Sequence, residues 1–138
     1  MAESADTSPE TVERSADFDV FDAEADVPPY LPVIAEAALE RNARDPLVLD
    51  LRGLSDATDF FVVLSGDSDV HTRAVAENIL EKAEEVGERP SGVEGRSAGR
   101  WILIDFIDVV VHVFLPAARE FYQLERLWGD ARQAGLTD

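Results

Sequence analysis

The fold of this chain is decided by residues 101–114, which read WILIDFIDVVVHVF. Two apolar runs, Trp101–Asp105 and Val109–Phe114, are joined by only three residues, so we predict two neighbouring antiparallel strands. Side chains alternate across a strand. One face of this hairpin carries β-branched residues that suit a core: Ile102, Ile104, Val109, Val111 and Val113. The other face carries Trp101, Leu103, Val110, His112 and Phe114.

The second face of the hairpin is apolar as well, although it includes a histidine. Helices could cover both faces of the sheet. However, about three helices of modest length cannot easily cover both sides of a four- or five-stranded sheet. An uncovered apolar patch that contains Trp and Phe is typical of a binding site. We therefore predict a partner-binding surface on this face, with these members: Trp101, Leu103, His112 and Phe114.

Hydrophobic periodicity places the other elements around the hairpin. Helices are predicted over residues 31–42, 70–86 and 116–128, and strands over residues 47–51, 60–64 and 93–94. Pro116 stands at the favoured first position of the last helix. The apolar face of that helix would consist of Phe121, Leu124, Leu127 and Trp128. The fold class is therefore α/β: a single domain with a mixed β-sheet of four to five strands packed with about three helices.

The N-terminal segment differs in composition from the rest of the chain. Residues 1–29 contain nine acidic residues and one basic residue, Arg14. Such a segment buries too little apolar surface to offset its chain entropy, so we expect a disordered acidic tail. Residues 30–134 would then form the folded domain, and residues 135–138 a short C-terminal tail. Residues 1–26 lack the basic and apolar regions of a secretory signal, so we expect a soluble, cytoplasmic protein.

The charge of the chain restricts its partners. Acidic residues number 29 against 12 basic residues, which gives a net charge of −17. Clustered Lys and Arg are needed to bind phosphates, so we expect little direct contact with RNA and favour a basic protein partner. Lys82 is the only lysine, and an acidic, lysine-poor surface also fits a saline cytoplasm. No cysteine is present, and no apolar run reaches the roughly 20 residues that cross a membrane.

Few residues are candidates for catalysis. The two histidines, His71 and His112, lack the spacing of metal ligands, so neither a metal nor a cofactor is expected. His71 lies near a predicted helix start, where it should be solvated. The alternative is a nucleotidyltransferase-like enzyme, in which Asp67, Asp69 and Asp105 would hold divalent metal ions. A loop and a helix cap explain Asp67 and Asp69 better, and the chain lacks a basic nucleotide pocket, so we predict a protein that is not an enzyme.

Several motifs match a known family in order and spacing. They are Leu49-Asp50-Leu51-Arg52, Thr58-Asp59-Phe60-Phe61-Val62, Ser65-Gly66-Asp67-Ser68-Asp69, Val93-Glu94-Gly95, the hairpin, and Arg119-Glu120-Phe121-Tyr122-Gln123-Leu124-Glu125-Arg126-Leu127-Trp128. Over residues 46–130 the chain resembles the Iojap family, the ribosomal silencing factors. The resemblance implies a nucleotidyltransferase-like topology. One departure is Ile107 in the hairpin turn, where the family often has Gly, and this puts the register of the hairpin in question.

The resemblance implies a function by binding. Members of the family bind ribosomal protein L-fourteen on the intersubunit face of the large ribosomal subunit. They block the small subunit from joining and so repress translation when nutrients are scarce, while organellar relatives take part in large-subunit assembly. Family members are also seen as dimers, so a homodimer is an alternative association.

The resemblance also implies particular contact residues. The family contact surface includes the position of Trp101, and we extend it to Phe106 and Phe114. Aromatic burial should supply most of the affinity, because exposed ion pairs contribute only about 0–1 kcal/mol each. Candidates for pairing with Arg or Lys of the partner are Asp105, Glu94 and Glu125.

Overall fold

The structure is a computed structural model that describes residues 27–135. Four helices lie in this range: α1 (Tyr30–Glu40), α2 (Asp69–Glu85), α3 (Pro116–Tyr122) and α4 (Leu124–Leu127). Six strands accompany them: β1 (Arg44–Asp50), β2 (Phe60–Ser65), β3 (Gly92–Glu94), β4 (Trp101–Asp105), β5 (Val109–Phe114) and β6 (Arg132–Gly135). Apart from residues 27–29 and 135, the two predicted tails lie outside the described residues.

The strands form one mixed sheet in the order β3-β4-β5-β2-β1-β6. Strands β2 and β5 pair in parallel, and the other neighbours pair antiparallel. The predicted α/β fold with a mixed sheet is therefore confirmed, with one strand more than expected. The additional strand, β6, pairs with β1 although its sequence, Arg-Gln-Ala-Gly, contains no β-branched or aromatic residue. Pairing with β1 explains a strand that local propensity does not predict.

The main core lies between one face of the sheet and helices α1 and α2. The five hairpin residues predicted for this core are all fully buried: Ile102, Ile104, Val109, Val111 and Val113. Helix α1 contributes Leu31 and Ile34, and helix α2 contributes Val75 and Ile79, which are also fully buried. Burying a large aliphatic side chain stabilises a fold by about 1.5–3 kcal/mol. The alternation of residues 101–114 therefore sets which face of the sheet the two long helices cover.

Local signals set the ends of α2. The N–H of His71 donates to the Ser68 hydroxyl oxygen at 3.1 Å, so Ser68 is the N-cap. Gly87 follows the helix with a φ of +85°. The N–H of Glu88 donates to the carbonyl of Ala83 at 2.9 Å, the bond that defines a Schellman motif. These caps fix the length of the helix that covers the centre of the core.

The turn between β4 and β5 keeps a regular register despite Ile107. The N–H of Phe106 donates to the carbonyl of Val109 at 2.8 Å, and the N–H of Asp108 donates to the carbonyl of Phe106 at 3.1 Å. The second bond closes a γ-turn around Ile107, whose φ is +80°. Asp105 holds this turn, because its carboxylate accepts the N–H of Ile107 at 2.8 Å. Ile107 thus occupies a glycine-like conformation that strains a β-branched residue.

We expect Ile107→Gly to stabilise the protein. The side chain is 59% exposed, so little packing is lost on its removal. Relief of left-handed strain is worth about 1–3 kcal/mol, and the greater freedom of Gly in the unfolded chain offsets about 0.5–1 kcal/mol of it. The free energy of unfolding, measured by urea denaturation, should rise by about 1 kcal/mol.

Val86→Gly is the matched control for this substitution. Val86 is also an exposed β-branched residue, but its φ of −104° is unstrained. This variant should leave stability unchanged or lower it. A loss of stability in Ile107→Gly of the same size as in Val86→Gly would show that the turn is not strained.

Candidate functional site

The second face of the sheet is covered on one half only. Helices α3 and α4 and the segment around Ala131 pack there against Phe114, Val63 and Leu49, which are fully buried. The half of this face near β4 remains partly accessible. We call its four half-buried residues the open face: Trp101, Leu103, Asp105 and Val110.

The prediction of one continuous last helix is wrong. Gln123 adopts the left-handed conformation, with a φ of +48°, and separates α3 from α4. The apolar residues expected on one buried face therefore point in different directions. Leu124 is buried, whereas Phe121 is 79% exposed and Leu127 is 72% exposed. The break places large apolar side chains on the surface.

Arg119 explains the break. Its Nε and Nη2 atoms each lie 3.0 Å from Oε2 of Glu125, and its Nη1 donates to the Ser65 hydroxyl at 2.9 Å. Residues six apart on a continuous helix point about 120° away from each other, so Arg119 and Glu125 could not meet there. The left-handed residue between them brings them together. This arginine therefore ties α3 and α4 to the end of β2.

Aromatic rings form a continuous row next to the open face. The ring of Trp101 lies 5.0 Å from that of Phe114 and 4.5 Å from that of Tyr122. Tyr122 in turn lies 5.0 Å from Phe121 at an angle of 88°. We call Trp101, Tyr122 and Phe121 the aromatic cluster. A neighbouring cavity of about 310 Å³ is lined by Arg100, Leu115, Ala117, Ala118, Phe121 and Tyr122.

His112 lies beneath Trp101. The indole Nε1 of Trp101 donates to Nδ1 of His112 at 3.1 Å. The imidazole also meets the ring of Phe61 edge to face, with 4.5 Å between centroids. Burial lowers the pKa of His112 to about 4. The imidazole is therefore neutral at physiological pH, and it can accept the indole hydrogen bond.

Three of the predicted contact residues are buried. Phe114 is 0% exposed, His112 4% and Phe106 5%. Phe106 packs on the opposite side of the sheet, where its ring lies 5.6 Å from that of Tyr30. None of the three offers surface to a partner in this fold: His112 and Phe114 pack against Trp101, whereas Phe106 belongs to the core on the other face. The accessible members are Trp101, Leu103, Asp105 and Glu94, and their contact with a partner stays a prediction.

Sequence reasoning missed the exposure of Phe121, Tyr122 and Leu127. A helical period of 3.6 residues assigned Phe121 and Leu127 to a buried face. The signal that could have corrected this assignment is the pair of opposite charges Arg119 and Glu125. Residues six apart cannot form an ion pair on a regular helix, so their pairing requires a break in the helix.

Carboxylates lie around the apolar surface. Glu94 is exposed and stands directly across from Leu103 in the β3–β4 pair, and Glu120 is exposed on α3. Asp105 is half-buried and uses one oxygen to hold the hairpin turn. Glu125 is already bound by Arg119 inside the domain. Glu94 and Glu120 are therefore the carboxylates best placed to meet a basic partner.

The carboxylates of the enzyme alternative are engaged by arginines. Arg44 donates to both oxygens of Asp67 at 3.1–3.3 Å, and these hydrogen bonds lower the pKa of Asp67. Arg73 lies 3.1 Å from Asp69, which begins α2. Both aspartates thus act in a loop and at a helix start, as their alternative assignment predicted.

Asp105 is too distant to complete a metal site with them. The sheet register places Ser65, just before the Asp67 loop, in line with Phe114 and Trp101. Asp105 is four residues further along β4, or about 13 Å away. Within residues 27–135, no group of three or more His, Asp or Glu side chains is placed to hold a metal ion.

The prediction that His71 is solvated is wrong. Its Nδ1 accepts the backbone N–H of Asp67 at 2.9 Å, and its Nε2 lies 2.7 Å from the carbonyl oxygen of Arg41. His71 therefore joins the loop before α2 to the end of α1, which is a structural role.

Comparisons with known proteins agree with this architecture. The family model described as "Ribosomal silencing factor during starvation" matches residues 24–138. The ribosomal silencing factor of Bacillus subtilis strain 168 is 42% identical over 106 residues, which cover 77% of this chain and 90% of that protein. The chloroplastic Iojap protein of maize is 34% identical over 110 residues, which cover 80% of this chain and 48% of that protein.

A solved structure supports the same relationship. The crystal structure of a Chromobacterium violaceum protein superposes with a TM-score of 0.68 and 38% identity, and the match covers 70% of this chain and 80% of that chain. The chain belongs to the ribosomal silencing factor family, a family of regulatory proteins associated with the ribosome. No helix in the described range is long and apolar enough to cross a bilayer.

The buried His112 predicts a specific pH dependence of stability. Its folded-state pKa of about 4 lies below the ordinary value of 6.5, so the unfolded chain binds a proton first as the pH falls. Stability is therefore lost from about pH 6.5 down to about pH 4, and no further below. The full loss from this group is on the order of 3 kcal/mol.

Comparison with His112→Gln isolates this contribution, because the carboxylates contribute equally to both proteins. As the pH falls from 6.5 to 4, the unfolding free energy of the wild type should decrease more than that of the variant. Parallel stability curves would show that the pKa of His112 is the same in the folded and unfolded protein.

Proposed function

We propose that this protein binds the large ribosomal subunit through ribosomal protein L-fourteen and prevents the small subunit from joining. Translation would thereby fall when nutrients are limiting. Membership of the family supports this function. The single structural observation that favours it is the apolar surface formed by the open face and the aromatic cluster, which the helices leave uncovered.

Apolar burial would supply the affinity. Phe121 is 79% exposed and Tyr122 47% exposed; Tyr122 adjoins the half-buried Trp101, and Phe121 adjoins Tyr122. Fully burying one such side chain is worth about 1.5–3 kcal/mol before the costs of association. Trp and Tyr are also enriched among the residues that dominate binding energy. A few contacts at this surface are therefore sufficient for a stable complex.

The charge of the protein would direct it to a protein of the ribosome. A net charge of −17 opposes contact with RNA phosphates and attracts a basic protein. Glu94 lies beside the apolar surface, directly across from Leu103, and Glu120 is exposed on α3. Exposed pairs of this kind add only about 0–1 kcal/mol each, but they steer and orient the encounter.

Occupation of the intersubunit face is the proposed mechanism. A bound domain would exclude the small subunit by volume, so no chemical step is required. The carboxylates of the enzyme alternative are held by Arg44 and Arg73, which agrees with a function by binding.

We expect Phe121→Glu to impair binding to large subunits. The substitution buries a charge at the proposed contact, whereas the exposed position should leave folding intact. Affinity, measured by co-sedimentation with purified large subunits, should fall at least about tenfold, which corresponds to 1.4 kcal/mol. The variant should also fail to reduce subunit joining in sucrose gradients.

Val86→Glu is the matched control, because it introduces the same charge at an exposed apolar residue after α2. It should bind and inhibit subunit joining like the wild type. Equal binding by all three proteins would exclude the aromatic cluster as the contact, and absence of wild-type binding would exclude the proposed function.

We also propose that residues 30–134 are the ribosome-binding unit. A chain without residues 1–26 should therefore bind large subunits within about twofold of the full chain, since the apolar contacts are unchanged. Its association rate should depend less on salt, because the removed segment is acidic. A large loss of affinity would assign part of the contact to that segment.

A further inference from the structure

The imidazole of His112 is a polar group in an otherwise apolar position. It is 4% exposed and lies among Trp101, Phe61 and Phe114. Its Nδ1 accepts the indole N–H of Trp101 at 3.1 Å. A neutral imidazole carries one proton, so the acceptor role of Nδ1 places that proton on Nε2. The contact with Trp101 therefore selects one tautomer.

This tautomer has a cost to stability. Among the residues that the structure describes, none accepts a hydrogen bond from the buried Nε2 of His112. A buried donor without a partner destabilises a fold. A phenylalanine would fill a similar volume without that cost. Stability alone therefore does not explain the imidazole, and its hydrogen bond to Trp101 is the contact that a phenylalanine could not make.

Trp101 needs a directional constraint that its ring neighbours do not supply. Phe114 and Tyr122 contact the indole as stacked and tilted rings, at 5.0 and 4.5 Å. Ring contacts tolerate sliding and rotation within the plane, whereas a hydrogen bond to Nδ1 fixes the nitrogen edge. Trp101 is only half-buried, so its orientation determines which part of the indole a partner meets.

We propose that His112 is a positioning residue of the partner-binding surface, which holds Trp101 in its binding orientation through the Nε1–Nδ1 hydrogen bond. The relevance to the ribosome rests on the proposed function, but the orientation is a property of the free protein. The hydrogen bond satisfies the only polar atom of the indole side chain inside the domain. The exposed part of Trp101 is therefore hydrocarbon.

This arrangement defines what the partner must offer at Trp101. The partner needs no hydrogen-bond acceptor there, because the indole N–H is already satisfied. An aliphatic side chain, or the stem and charged group of Arg or Lys over the ring, fits this surface. The preference agrees with a basic protein partner.

The hydrogen bond can be measured directly in the free, full-length protein labelled with nitrogen-15. We expect a scalar coupling across the hydrogen bond between Trp101 Nε1 and His112 Nδ1, with the imidazole proton on Nε2. Trp128→Phe assigns the Trp101 indole signal. His112→Phe should abolish the coupling and broaden or shift that signal. If the wild type shows no coupling, or the proton resides on Nδ1, the proposal is overturned.

Binding to large ribosomal subunits tests the consequence. His112→Phe should bind about tenfold more weakly than wild type, because it loses the one hydrogen bond that orients Trp101. The same variant should unfold at an equal or higher denaturant concentration than wild type. His112→Gln, which restores an acceptor, should recover part of the affinity. In a Trp101→Phe background, which lacks the donor, His112→Phe should have no further effect.

The outcomes separate the two proposals. Full wild-type affinity of His112→Phe, beside weak binding of Trp101→Phe, would overturn positioning by His112 while the ribosomal function stands. Failure of the wild type to bind large subunits would overturn the proposed function. In that case, the coupling and the change in the Trp101 signal of His112→Phe still decide whether His112 orients the indole.

Discussion

The structure depends on the antiparallel pairing of β4 with β5, which aligns Trp101 with Phe114 and Asp105 with Val110. This register directs alternate side chains into the helix-covered core and onto the second face of the sheet. A slip of one residue would exchange the two sets, so that the core would receive Trp101 and solvent would receive Ile102. The γ-turn at Ile107, held by Asp105, prevents such a slip at the cost of local strain.

The uncovered apolar surface follows from unequal coverage of the sheet. Helices α1 and α2 cover one face completely, whereas α3 and α4 cover only half of the other. The reason is the break at Gln123, which is stabilised by the contacts of Arg119 with Glu125 and Ser65. A straight helix would not let these charges meet. The same break exposes Phe121 beside Tyr122, which contacts Trp101, so the packing of the C-terminal helices and the proposed function share one cause.

The sequence predicts those parts of the fold that short-range patterns determine. Alternation identified the core residues of the hairpin, hydrophobic periodicity located α2, and family motifs indicated the correct family. The sequence predictions failed where contacts between residues distant in the sequence determine the local structure. Strand β6 exists through pairing with β1, the break at Gln123 depends on Arg119, and the burial of Phe106 follows from its contact with Tyr30. For the candidate site, alternation placed Trp101 and Leu103 on the accessible face of the sheet, but the hydrogen bond between Trp101 and His112 required the geometry.

The most direct test of the central claim is site-specific photocrosslinking to the large ribosomal subunit. A benzophenone amino acid would replace Phe121 in the aromatic cluster or, as a control, Val86 next to α2. Docking through the aromatic cluster predicts that position 121 crosslinks to ribosomal protein L-fourteen and that position 86 does not. Crosslinks from position 86 alone, or from position 121 only to ribosomal RNA or to another protein, would contradict it.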